Sequence, residues 1–343
     1  MSDESPWTTR RLLKWIRDHL ESRGIDSPRV CSELMVSAAI QCERLRLYME
    51  PDRVATDAER ETLRDWVRRA SLHEPVQYLV GEAWFRGHRF EVDASTLIPR
   101  PSTETLVEVA AGHLAGLDHP ALVLEPCTGT GCAGLSLLLE LDRPHRAAAR
   151  MREADEAIRA DAARLAAAVG EPLSDDGAED GLESPLVRQL PGESARVVAT
   201  DVVPAAISLA TRNAESLGLA DRFDARVGSL FEPVRPAEVG SFDLVLANPP
   251  YVSDVEYERC PPNVRDHEPS TSLRGGVEGL DVIRPLVAGA TKWLRPAGAL
   301  AIEMQFDQSK SVADLFREAG FLEVEVRRDV EGHERVVVGR LPA

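Results

Sequence analysis

No two cysteines in this sequence stand at C-x-x-C spacing. The five thiols, Cys31, Cys42, Cys127, Cys132 and Cys260, are odd in number and scattered. That argues against a disulfide framework and for a reduced, cytoplasmic setting. Long apolar runs are missing as well. Stretches such as 121–124 and 135–139 are too short to span a bilayer. The opening MSDESPWTTR lacks a basic stretch followed by an apolar one, so no secretory signal is expected there. The eight histidines show no H-E-x-x-H spacing, and no metal site is assigned. Basic residues are in the minority, 40 Lys and Arg against 57 Asp and Glu, which leaves a formal charge of −17. A chain built to grip nucleic-acid phosphates carries the opposite sign. The balance favours a protein or small-molecule substrate, with no membrane and no direct nucleic-acid partner.

What is present suffices for a sizeable core. Hydrophobic residues make up 43% of the 343, and that length suggests a main domain plus a smaller one. Residues 1–74 read as a helical module. Leu12, Ile16 and Leu20 recur at helical spacing. Ser27-Pro28 looks like an N-cap followed by a first-turn proline. Thr56-Asp57-Ala58-Glu59 has capping-box spacing and should start a third helix through Leu63, Trp66 and Val67. Residues 75–101 should form a hairpin linker, with short strands at 78–80, 84–85 and 90–92 broken by Gly81 and Gly87. The linker ends in Pro99-Arg100-Pro101, an extended segment.

From residue 102 to 343, strands and helices alternate, which predicts an α/β fold with a parallel, doubly wound sheet. Strands are expected at 121–125, 196–200, 224–227, 242–247 and 299–304. Helices should follow at 133–141, 204–217, 282–294 and 312–319. Two closing strands, 323–327 and 335–340, should pair antiparallel at the sheet edge. Residues 142–193 break the rhythm, because about two to six residues normally join a helix to the next strand. They read as an insertion, helical in its first half and acidic and loop-like from 170 to 192.

Three places carry chemistry. Glu125-Pro126-Cys127-Thr128-Gly129-Thr130-Gly131 follows a strand and precedes a helix, and its small residues let the backbone approach a ligand. The spacing is not the dinucleotide fingerprint G-x-G-x-x-G. Asp201 ends the next strand, where a carboxylate can accept two ribose hydroxyls. Asn248-Pro249-Pro250-Tyr251 follows the apolar strand 242–247. The prolines stiffen the backbone and donate no N–H. The Asn248 side-chain oxygen and the Pro249 carbonyl can then accept both hydrogens of a planar NH₂ group, and Tyr251 offers it a flat face. Such a nitrogen is a poor nucleophile. Holding its hydrogens aims its lone pair, which is catalysis by orientation.

With these in place, the chain resembles the release-factor glutamine methyltransferases, the protein-(glutamine-N5) methyltransferases, from about Glu74 to Arg340 without the insertion. The likeness rests on Glu74-Pro75-Val76-Gln77-Tyr78-Leu79-Val80-Gly81 and on Thr96-Leu97-Ile98-Pro99-Arg100-Pro101-Ser102-Thr103-Glu104. It continues through His267-Glu268-Pro269, Gly279-Leu280-Asp281, Glu303, Gln308, Arg328-Asp329 and Glu334-Arg335-Val336. The resemblance implies a Rossmann-like class I methyltransferase sheet with an antiparallel edge strand, plus a small N-terminal helical domain that recognises the release factor. It implies S-adenosylmethionine as cofactor. Glu125 and Cys127 to Gly131 would line it, Asp201 would hold its ribose, Ser229 and Leu230 would lie by its adenine, and Asn248 would touch cofactor and substrate. Pro99 and Arg100 fall in the family's substrate-side loop, with Asn248, Pro249, Pro250 and Tyr251 completing the substrate side. The implied substrate is the glutamine of the release factor's Gly-Gly-Gln loop. Cys127 stands where many members have glycine, and Ser229 where an acidic residue usually meets the adenine. Other readings are open at this point. A relative that methylates a large-subunit ribosomal protein shares the Cys127-to-Cys132 version of the loop. Adenine methyltransferases also use Asn-Pro-Pro-Tyr, with a base-flipping surface and positive charge. A degenerate, non-catalytic binding module is the third.

Overall fold

The computed structural model describes residues 6–143 and 195–343. The N-terminal part is helical: α1 (Thr9–Ser22), α2 (Pro28–Ala39), α3 (Arg46–Met49), α4 (Asp57–Ala70) and α5 (Val76–Val80). The periodic residues of α1, Leu12, Ile16 and Leu20, are buried against Met35 and Val36 of α2 and Leu63 and Val67 of α4. Burying each such side chain contributes about 1.5–3 kcal/mol. The capping box at α4 is formed. Thr56 Oγ1 accepts from Glu59 N at 3.3 Å, and Glu59 Oε2 accepts from Thr56 N at 2.8 Å.

Two local expectations fail. Ser27 precedes Pro28 at the start of α2, but it sits at φ 51 and makes no side-chain cap. A side-chain cap needs the extended backbone that this left-handed serine lacks. Residues 78–80 are not a strand but the last turn of α5, between Pro75 and Gly81. Val76 and Leu79 are both buried there. Their spacing of three is helical, and it overrides the β-favouring composition.

The hairpin comprises β1 (Glu82–Phe85) and β2 (His88–Glu91), paired antiparallel. Phe85 and Phe90 point from it into the core of the sheet domain. Its far end is tied to α8 (Pro204–Ser216) through Asn213. The Asn213 Oδ1 accepts from Glu91 N at 2.7 Å, and its Nδ2 donates to Glu91 O at 3.1 Å and to Thr130 O at 3.0 Å.

The main sheet has strands β3 (Leu122–Pro126), β4 (Arg196–Asp201), β5 (Phe223–Val227), β6 (Phe242–Ala247), β7 (Leu294–Glu303), β8 (Leu322–Arg328) and β9 (Glu334–Arg340), in the order β5-β4-β3-β6-β7-β9-β8. The first five run parallel, and β9 and β8 close the edge antiparallel. Strand β6 is buried along its whole length. Its one charge, Asp243, accepts from Leu122 N and from His119 Nε2, each at 2.8 Å, and pairs with Arg295 at 3.0 Å. Helices α6 (Ser102–Leu114), α7 (132–143) and α8 lie around one apolar core, and Ile283–Trp293 and Ser309–Glu318 around the other. The order reverses at β3, where β4 lies on one side and β6 on the other, and ligands of open α/β sheets bind at the carboxyl ends of strands around that point.

Among the described residues, no helix is long and apolar enough to cross a membrane. The expected insertion at 142–193 lies almost wholly outside them.

Candidate active site

A cavity of about 280 Å³ opens at the carboxyl ends of β3, β4 and β6. Glu125, Cys127, Thr128, Gly129, Thr130, Asp201, Ser229 and Leu230 line one side of it. Pro99, Arg100, Asn248 and Pro250 line it too, together with Thr103. Segments far apart in sequence thus meet in one space.

The glycine loop is bent by left-handed residues, Cys127 at φ 59, Gly129 at φ 54 and Gly131 at φ 77. A Cβ on Gly131 would come within 3.0–3.3 Å of Leu135, Phe223 and Ala210. Its smallness therefore serves packing beneath the loop, and Gly131 is absent from the cavity wall. Cys127 is a different matter, because a side chain in the left-handed region carries a steric penalty that glycine avoids. Glu125 underpins the turn. Its Oε2 accepts from Thr128 Oγ1 at 2.9 Å and its Oε1 from Gly134 N at 3.0 Å. Burial pushes its carboxyl up to about 8, against the pull of those two donors. Gly134 is a requirement that the sequence reading missed: a Cβ there would fall 2.3 Å from Glu125 Oε2.

Asp201 is held by main chain. Gly129 N donates to its Oδ2 and Val203 N to its Oδ1, both at 3.0 Å. Burial raises its pKa, and backbone N–H groups oppose that rise. Beside it, Leu230 also adopts a left-handed backbone, φ 47, and its carbonyl accepts from Thr200 Oγ1 at 2.6 Å. Ser229 N donates to Glu232 Oε2 at 3.2 Å.

The other side is held by side chains. Asn248 Nδ2 donates to Thr103 Oγ1 at 3.1 Å. Arg100 pairs with Glu268, whose side chain is fully buried and also accepts from Ile98 N at 3.3 Å. The rings of Pro249 and Tyr251 do not line the cavity wall. Tyr251 packs against the core instead of offering its ring to the cavity. Its hydroxyl donates to Glu303 Oε1 at 3.2 Å and its carbonyl accepts from Gln308 Nε2 at 2.9 Å. Burial, followed by the Glu303 carboxylate, raises the phenol's pKa. Glu303 is itself fully buried and accepts from Ser102 Oγ at 3.0 Å. Thr103 and Glu303 had no assigned part in the sequence reading. Their signal was position alone, within the runs that carry the resemblance. Among the described residues, no group of three or more His, Cys, Asp and Glu could hold a metal.

Residues 11–81 match the family model described as the PrmC N-terminal domain. A release factor glutamine methyltransferase from Geobacter sulfurreducens is 33% identical over 335 residues, covering 98% of this chain and 97% of its own. A protein of the same name from Cereibacter sphaeroides is 35% identical over 327 residues, with 94% and 95% covered. One from Nitratidesulfovibrio vulgaris is 32% identical over 335 residues, with 97% and 95% covered. Since the agreement runs through the helical module and the sheet alike, the chain belongs to the release factor glutamine methyltransferase family.

Proposed function

We propose that this protein transfers a methyl group from S-adenosylmethionine to the side-chain amide nitrogen of the glutamine in the Gly-Gly-Gln loop of a peptide-chain release factor. The observation that carries the reading is the Asn248 amide. Its Nδ2 is occupied by Thr103, which leaves Oδ1 as the acceptor for a substrate NH₂ in the cavity that Asp201 shares.

The residues present fit the cofactor. Each Asp201 oxygen uses one lone pair on a backbone N–H and keeps capacity for a ribose diol. Nothing lies within 4 Å of a Cβ built on Gly129, so the loop is open there. Glu125, Cys127, Thr128, Gly129 and Thr130 would hold the methionine and ribose part, and Ser229 and Leu230 the adenine. Bound there, S-adenosylmethionine supplies an electrophilic methyl group. The chain's own part is orientation. Asn248 Oδ1 and the Pro249 carbonyl accept the two amide hydrogens and turn the nitrogen toward the methyl carbon. Pro250 and the paired Arg100 bound the substrate side, and Tyr251 braces the turn from behind through Glu303. All five cysteines are free thiols, which suits the cytoplasm where such a substrate works.

The deciding experiment incubates the protein with labelled cofactor and a release factor, a large-subunit ribosomal protein or an oligonucleotide, followed by mass spectrometry. Label on the Gly-Gly-Gln glutamine is expected. Label only on the ribosomal protein or only on adenine would replace this reading with one of its competitors.

A further inference from the structure

We propose that Thr103, backed by Glu303, is a positioning residue that decides which way round the Asn248 amide stands, and so whether the cavity offers an acceptor or a donor. The inference rests on the amide-methylation reading above.

The two ends of an asparagine amide are nearly the same size, so sterics do not choose between them. Hydrogen bonds do. Asn248 has its choice made by Thr103, across 145 positions of sequence, where Nδ2 donates to Oγ1 at 3.1 Å. A hydroxyl alone is a poor selector, because it accepts and donates equally well. If Thr103 donated to Asn248, the amide would reverse and present NH₂ to a substrate NH₂, two donors facing each other.

Glu303 removes that freedom. The register of β6 and β7 pairs Ala247 with Ile302, so the next step carries Glu303 alongside Asn248. Its side chain is fully buried. The hydroxyls of Ser102, Thr103 and Tyr251 all turn to it, and Arg335 adds positive potential. Burial raises the Glu303 pKa against those donors, yet the oxygen they share accepts whether the group is ionised or carries its proton on Oε2, which has no partner. With its proton committed to Glu303, Thr103 has only lone pairs left for Asn248, and only Nδ2 can meet them. The direction of the chain Asn248 to Thr103 to Glu303 is therefore fixed at its buried end. Ser102 and Thr103 open helix α6, so both hydroxyls are carried by a rigid element. Thr103 is 2% exposed, and it has no bulk water to substitute for it.

The test uses the full chain and a full-length release factor. Thr103→Val keeps the shape and removes the hydroxyl. Single-turnover methyl transfer should fall about 10–100-fold, of the order seen when a preorganised polar partner is lost. Cofactor affinity by calorimetry should stay at the wild-type value. Thr103→Ser should recover most of the rate. A second readout needs no turnover: with S-adenosylhomocysteine bound, release-factor affinity should weaken in Thr103→Val and return in Thr103→Ser. The sharpest arm is a double-mutant cycle with Asn248→Asp. A carboxylate has oxygen at both ends and nothing to reverse, so Thr103→Val should cost far less in that background than in the wild type. Equal losses in both backgrounds, or a wild-type rate for Thr103→Val, would overturn the proposal. If Thr103→Val fails to bind cofactor, Glu303→Met takes its place. A thioether is too weak an acceptor to commit the Thr103 proton, so the same fall in rate is expected, and an unchanged rate counts against the relay. Wild-type protein that leaves the release factor unlabelled instead refutes the substrate. The cycle is then run on whichever NH₂ it does label.

Discussion

The two sides of the cavity are built from different materials. At Asp201, two backbone N–H groups hold the carboxylate, and bent main chain at Cys127, Gly129 and Leu230 shapes the wall. At Asn248, the functional amide is held by another side chain, which is backed by a buried carboxyl and its hydroxyls. Main-chain donors are lost only on substitution by proline, and they suit a feature that every turnover would use in the same way. Side-chain networks are adjustable, and they suit the place where one planar group must be told from another. The difference predicts that damage on the Asp201 side shows in affinity and damage on the Asn248 side shows in rate.

Asn248→Ala gives the largest effect. The rate of methyl transfer should fall about 10²–10³-fold, because the interaction matters most as the transition state forms. Cofactor affinity should be largely kept. Loss of affinity in proportion to rate would erase the distinction between the two sides. Asp201→Ala should do the reverse and weaken S-adenosylmethionine binding by about 1–3 kcal/mol. Calorimetry checks this, and unchanged affinity removes Asp201 from the site. Cys127→Gly should stabilise the fold slightly. Relief of about 1–2 kcal/mol of left-handed backbone strain is offset by about 0.4–1 kcal/mol from a more flexible unfolded chain. A lower melting temperature would mean that the Cys127 side chain contributes packing beyond its strain.

The smallest effect near pH 5 belongs to Glu125→Gln. The carboxyl is pushed up to about 8 in the fold, against about 4.3 in an unfolded chain. Between those values the folded state binds the extra proton. The stability tied to Glu125 is therefore fully present below about pH 4.3 and is lost as pH rises through about 8. Glutamine resembles the protonated form, so Glu125→Gln should melt like wild type near pH 5 and flatten the decline toward pH 8. Parallel profiles for the two proteins would show that the carboxyl is already ionised.

Much of this was legible because an apolar strand marks the position of the residue at its end. The run of β6 places Asn248 at a strand end, and β4 does the same for Asp201, so pattern alone brings both to one edge of the sheet. The capping box at Thr56 is a purely local signal and formed as read. The failures have a different origin. Tyr78, Leu79 and Val80 are good strand formers, and only their burial partners make them a helix. Gly131 also meets a packing demand that no motif announces, with Leu135, Phe223 and Ala210 beneath it. Tyr251 looks like a platform until Glu303 is seen behind it. The Thr103 contact joins residues 145 apart, and no periodicity encodes such a pair.

Asn213 has a mechanical part to play. One side chain, 1% exposed, splints the end of the hairpin to the glycine loop through Glu91 and Thr130. The helical module leads into that hairpin. A rocking of the module that shifted β2 would have to break the hydrogen bonds of a buried amide, at about 1–3 kcal/mol for each group left without a partner. That one buried side chain therefore couples the position of the hairpin to the bend of the glycine loop, alongside the Phe85 and Phe90 rings and the Arg86 contacts that also anchor the hairpin.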